Sequence, residues 1–233
     1  MHLLSTTTLF GQLYETDLRL RPSGAAGLLC CHIDGFETYQ HNEAWTWEHL
    51  ALTRARPVAG ATALEDEITA FREALLAQPV DASQVCKDVQ EMRARIASAK
   101  APSGPWDAKI GRGMLQEIEL MSQTGALIEG CRAQSVVEGL HAAARCGVLR
   151  QDEAAQLEET YGMLWAVQVA SKLLSEKPIS PEDIGKGGAA FLLRDTGAET
   201  LDALATEMTR RGAQAGDIID RALGTGESQG GVD

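Results

Sequence analysis

An aspartate and two arginines stand two residues apart in the stretch YETDLRLRPSG: Asp17, Arg19 and Arg21, separated by Leu18 and Leu20. In an extended chain successive side chains alternate between faces, so this spacing sets one carboxylate and two guanidinium groups on the same side. Nucleotidyl transfer on two metal ions needs carboxylates converging on a pair of Mg²⁺ ions about 3.5–4 Å apart. Arginines projecting two and four residues later can neutralise triphosphate oxygens bidentately. D-x-R-x-R therefore suits a phosphate-handling site. It equally suits an exposed strand whose alternating charges pair with each other and with neighbouring strands. Spacing does not separate the two.

The elements that must position these residues begin with an extended region over 9–33. Tyr14, Thr16, Leu18 and Leu20 share the face opposite the charges, PSGAAG turns the chain, and LLCCHI is expected to be a partner strand buried on at least one face. Two strands make no independently stable sheet, so they pair with something outside the chain or pack on its helices. From Phe36 the period becomes helical. Trp45, Trp47 and His49 are expected between strand and helix, in a segment ending near Pro57. Thr62 and Glu65 have capping-box spacing before the next helix. Val85, Val89, Met92 and Ile96 mark another, with Glu91 and Arg95 as an i,i+4 pair. Residues 98–106, rich in small residues and proline, form the best internal boundary.

Beyond that boundary helices are expected around Leu115–Met121, around Val136–Ala144 and from Asp152 to Glu176, the last with Leu157, Tyr161, Leu164, Trp165 and Leu173 inward. Ser180 with Pro181 reads as a helix start, and residues 225–233 as a disordered tail. The expected architecture is mainly α with a small β portion, in two domains at 1–100 and 101–224.

A net charge of −12 repels phosphate backbones and anionic membranes, which argues against nonspecific nucleic-acid binding. A local arginine cluster can still hold a nucleotide phosphate. The five cysteines include the vicinal pair Cys30–Cys31 and no C-x-x-C, so they read as buried reduced thiols rather than a disulfide framework or zinc site. No apolar run reaches the ~18–20 residues of a membrane-spanning helix, and the opening MHLLSTTTLF has no basic region before its apolar patch. A cytoplasmic protein is expected.

LYETDLRLRPSGAAGLL, then F-x-x-Y-Q at Phe36–Gln40, then EAWTWEHLALTRARPVAG closely resemble the C-terminal, adenylylating half of glutamine synthetase adenylyltransferase. WDAKIGRGMLQEIELMSQ is similar to that family's D-L-K-x-x-x-G-G-x-x-D-I-E-F segment. The resemblance implies the rear part of a nucleotidyltransferase-fold domain followed by an all-helical bundle domain. It implies transfer of AMP from ATP to a tyrosine of glutamine synthetase with Mg²⁺, balanced by PII-type signal proteins and glutamine. Asp17 matches the family's third metal carboxylate, and Arg19 and Arg21 the basic residues after it. Arg54 and Arg56 could reach the nucleotide or a partner's acidic surface, or equally stand solvated or ion-paired, while Lys109 falls where the family has a basic residue near the cleft, or is a surface lysine.

Glu117 and Glu119 match the family's acidic pair, and Met114 replaces its second glycine. The family's G-S-x-x-D-x-D segment, which carries the other two metal carboxylates, has no counterpart in this sequence. One carboxylate does not assemble a two-metal site, so the chain alone is expected to be inactive or nearly so, needing an upstream catalytic fragment. The other reading is a non-catalytic helical module that docks on glutamine synthetase or a PII-type protein. His41 and His49 with Glu48 lack the H-E-x-x-H spacing zinc needs. GKGG at 185–188 and GRG at 111–113 read as turns.

Overall fold

The computed structural model describes residues 6–9, 11, 12, 22, 24, 27–175, 179 and 184–224. Among them a small hairpin precedes nine helices, so the chain is mainly α with a small β portion. Strand β1 (Thr7–Thr8) pairs antiparallel with β2 (Gly11–Gln12), Thr7 opposite Gln12 and Thr8 opposite Gly11. The stretch at 13–21, including Asp17, Arg19 and Arg21, lies outside the described residues, as do the 180–183 cap and the 225–233 tail.

The helices are α1 (Ile33–Asn42), α2 (Thr46–Arg54), α3 (Thr62–Leu76), α4 (Ala82–Ala99), α5 (Leu115–Glu129), α6 (Val136–Arg145), α7 (Gln151–Leu174), α8 (Lys186–Thr196) and α9 (Leu201–Gly224). Their starts follow side-chain chemistry. Asp81 accepts the amides of Ser83 and Gln84 at 2.9 and 3.2 Å to open α4, and Ser135 with Glu138 closes a capping box on α6. Helix α5 is the hub: it packs against α2, α4, α6, α7 and α9. Its buried residues, from Leu115 through Ile118, Met121 and Thr124 to Leu127, run around the whole cylinder, as a central helix requires. One apolar cluster joins Leu50, Leu76 and Val89 to Ile118, Leu140, Leu157, Leu164, Met208 and Ile219.

Several expectations fail in instructive ways. Residues 28–32 form no strand: Leu28 and Leu29 are 80% and 63% exposed, and α1 begins at Ile33 with His32 as its cap. So short an apolar run has no periodicity to fix a strand, and the helix start prevails. The thiols of Cys30 and Cys31 are therefore exposed, not buried, while Cys86, Cys131 and Cys146 are half-buried. The Thr62–Glu65 box does not form, because Ala61 holds the extended cap position and Thr62 is already helical. Trp45 and Trp47, 68% and 37% exposed, border a groove of about 460 Å³ against Val89 and Met92 of α4 instead of packing beneath a strand. In α7, Leu157 and Leu164 are buried, but Trp165 is 50% and Leu173 71% exposed, since the neighbours of α7 cover only one side of it. GKGG is not a turn either: Gly185 caps α8 and the next three residues form its first turn.

Candidate functional site

The candidates fall in three places. Arg54 ends α2 and Arg56 follows two residues on, both exposed. Between them Ala55 is extended, at φ −62° and ψ 145°, and its carbonyl accepts a hydrogen bond from Arg72 Nη1. The same corner is fixed by Ala133 N donating to Thr53 O at 3.0 Å. Arg72 is buried at 4% exposure with its Nε unpartnered. Burial, and after it the charge of Arg132, pull its guanidinium below the ordinary arginine value, with Glu73 opposing. Every other described arginine has a described carboxylate within 4 Å, whereas among the described residues Arg54, Arg56 and Arg72 have none. Three arginines at one corner without such an ion pair among the described residues form an arrangement suited to an anion.

The second place is the turn from 103 to 114. Asp107 organises it, accepting from Ser103 N and Oγ at 2.8 Å, Lys109 N at 3.0 Å and Ile110 N at 2.9 Å. Burial raises the Asp107 pKa, but these hydrogen bonds outweigh it and hold the carboxyl below its usual value. Lys109 projects from this turn, exposed. Gly113, at φ 71°, brings the turn against α9 so closely that a Cβ would lie 1.9 Å from Gly212 O. The GRG segment is a turn as expected. Met114 follows in extended backbone, at φ −86° and ψ 178°, and Gly212 leaves room for its side chain. The site thus needs glycine at 113 and tolerates a side chain at 114.

Glu117 and Glu119 are two apart on α5 and meet different partners. Glu117 accepts from Arg93 Nε at 3.2 Å and Nη2 at 2.8 Å, and from Gly113 N at 2.8 Å. Arg93 also pairs with Asp220 at 2.9 Å, and Arg112 pairs with Asp217 and Asp220 at 2.6 Å. Burial lowers the Arg93 pKa, yet Glu117 and Asp220 together raise it above the ordinary value. Glu117 is thereby tied into a knot of α4, the turn, α5 and α9. Glu119 instead accepts from Tyr161 Oη at 3.4 Å, and Tyr161 stacks on Trp165 with centroids 6.0 Å apart. Burial first, then the Glu119 charge, raise the Tyr161 pKa, with Arg54 opposing. The structure thus brings Arg54 and Glu119 together around a phenol, and leaves Lys109 and Glu117 apart from that group. His41 packs edge-on to Phe71 and His49 Nε2 sits 3.0 Å from Gln40 O, both ordinary packing roles.

Among the described residues no group of three His, Cys, Asp or Glu side chains is placed to hold a metal. Asp17, the expected metal ligand, lies outside them.

Residues 1–71 match the family model described as Glutamate-ammonia ligase adenylyltransferase, and residues 86–179 the one described as GlnD PII-uridylyltransferase. A bifunctional glutamine synthetase adenylyltransferase/adenylyl-removing enzyme of Rhodopseudomonas palustris is 34% identical over 225 residues, 94% of this chain and 23% of the relative. The enzyme of that name from Mesorhizobium japonicum is 35% identical over 226 residues, with the same coverage, and that from Alteromonas mediterranea 50% identical over 138 residues, 58% of this chain and 14% of the relative. The chain is related to the glutamine synthetase adenylyltransferases. It spans about a quarter of the length of the Rhodopseudomonas and Mesorhizobium relatives. Asp17, Arg19, Arg21, Arg54 and Arg56 all lie in the stretch matching the adenylyltransferase model, and Lys109, Glu117, Glu119 and Tyr161 in the stretch matching the second.

Sequence reasoning passed over Arg72 and Arg93, and took Tyr161 only as an inward residue of its helix. Tyr161 and Trp165 have i,i+4 spacing, a readable sign that they meet. Nothing local marks Arg72, whose role comes from a partner seventeen residues away.

Proposed function

We propose that this chain supplies the rear part of an adenylyltransferase catalytic unit that moves AMP from ATP to a tyrosine of glutamine synthetase, in the cytoplasm. The observation that carries this reading is the 34% identity over 94% of the chain to an enzyme bearing that activity in its name. In this reading residues 1–100 close a nucleotidyltransferase domain and 101–224 form the helical domain behind it. Asp17 would hold Mg²⁺ with carboxylates from elsewhere, and Arg19, Arg21, Arg54, Arg56 and Lys109 would face ATP phosphates. Glu119 with Tyr161 borders the cleft near Arg54, and Glu117 holds the turn that carries Lys109. The metal supplies charge neutralisation at the transferred phosphoryl group. What the chain's own residues do is bind and orient.

Because this sequence has no G-S-x-x-D-x-D segment, activity is expected only when that segment is supplied in trans. The test is incorporation of label from α-labelled ATP into glutamine synthetase. The chain alone should give background, and the chain with an added upstream segment should give transfer. Transfer no greater with both pieces than with the upstream piece alone overturns the reading.

A second reading, a non-catalytic module docking on glutamine synthetase or a PII-type protein, is favoured by the match of residues 86–179 to a PII-uridylyltransferase model. It predicts direct binding of the chain to one of these proteins together with failure of the reconstitution.

A further inference from the structure

We propose that the cavity between the 103–110 turn and the C-terminal half of α7 is a binding site for a small oxyanion, a carboxylate or a phosphate group. It has a volume of about 220 Å³ and is lined by Trp106, Asp107, Lys109, Gln168, Ser171 and Lys172, among others. Pockets that take drug-sized ligands run to ~300–1,000 Å³, so this one suits something smaller than a nucleotide. The inference does not rest on adenylyl transfer.

The lining is rich in donors. Each lysine ammonium offers three N–H groups and accepts nothing, and an indole nitrogen only donates. Among the described residues neither Lys109 nor Lys172 has a carboxylate within ion-pairing distance. Trp106 is 4% exposed and its buried Nε1–H has no acceptor among the described residues. Native chains rarely keep such a donor unless something satisfies it. Asp107 does not fill the demand, because its oxygens already accept four protein donors at 2.8–3.0 Å. Among the described lining residues two ammonium groups stand against that one carboxylate, a surplus positive charge in a chain whose net charge is −12. A singly charged group whose oxygens accept from Trp106 Nε1 and the two ammoniums completes the site.

The test is a ¹H–¹⁵N titration that follows the indole signals of the four tryptophans, with Trp106 assigned from Trp106→Phe. Sodium phosphate and sodium acetate are added separately at fixed ionic strength, with sodium chloride as reference. The expected result is a saturable downfield shift of the Trp106 signal alone, with one or both oxyanions. Phosphate only would mark a phosphate site, acetate only a carboxylate site. Replacing Lys172 or Lys109 by Ala should weaken the binding about tenfold, the loss of one charge-assisted hydrogen bond, in proteins whose circular dichroism shows the helices intact. No shift, the same shift with chloride, or undiminished binding in both lysine variants overturns the proposal.

Discussion

Arg93 and Glu117 are 12% and 17% exposed and hydrogen-bonded at 2.8 Å, so each depends on the other to stay charged inside the protein. Removing one partner of such a pair leaves an uncompensated buried charge. Arg93→Ala should therefore cost about 3 kcal/mol in urea unfolding, and adding Glu117→Gln should return part of it. A cost below about 1 kcal/mol would mean that Glu117 does not anchor the turn.

Glu207 shows the surface counterpart. Hydrogen bonds from Arg210 and then Arg211 hold its carboxyl at about 2, from an ordinary 4.5. A depressed folded pKa contributes stability above the unfolded value, here pH 4.5, and that contribution is lost as the pH falls towards 2. Its side chain is 37% exposed, so the effect on stability is small. The carboxyl ¹³C titration should still show a midpoint near 2. In an Arg210→Ala/Arg211→Ala variant it should return towards the ordinary value.

Helices α5 and α6 approach through small residues. A Cβ on Gly139 would lie 2.5 Å from Ser122 O, and one on Gly125 2.6 Å from the backbone of Ala143. Gly139→Ala should thus force the pair apart and cost about 2 kcal/mol, seen as a lowered Tm with helix content retained. The helices of this region were legible because apolar residues recur at helical spacing, as Leu115, Ile118 and Met121 do over nearly two turns. Leu28–Ile33 was not, since six residues cannot fix a period and the cap at His32 is a local event. The exposure of Trp165 was hidden for another reason: periodicity gives the apolar side of a helix but not how far its neighbours extend over it. Among the candidate residues, Lys109, Glu117 and Glu119 stand in a segment that a motif marks. The Arg72–Ala55 and Arg93–Asp220 links join distant stretches of chain and leave no local trace.

On the scale of the molecule, one apolar cluster runs from Leu50 in α2 to Ile219 in α9. Helices from both sides of the 98–106 boundary build it, so the matched stretches 1–71 and 86–179 share a core. Across that boundary Arg54, at the end of α2, acts electrostatically on the Tyr161 phenol of α7. No described helix is long and apolar enough to cross a membrane.

The proposed function requires that the carboxylate at position 17 serve a shared metal site completed by another segment. The direct measurement is the initial rate of labelled AMP incorporation into glutamine synthetase by this chain mixed with a segment carrying G-S-x-x-D-x-D, comparing Asp17 with Asp17→Ala. Loss of transfer to background, with the chain still folded and still bound to its complement, is the predicted result. Transfer undiminished in Asp17→Ala would contradict it.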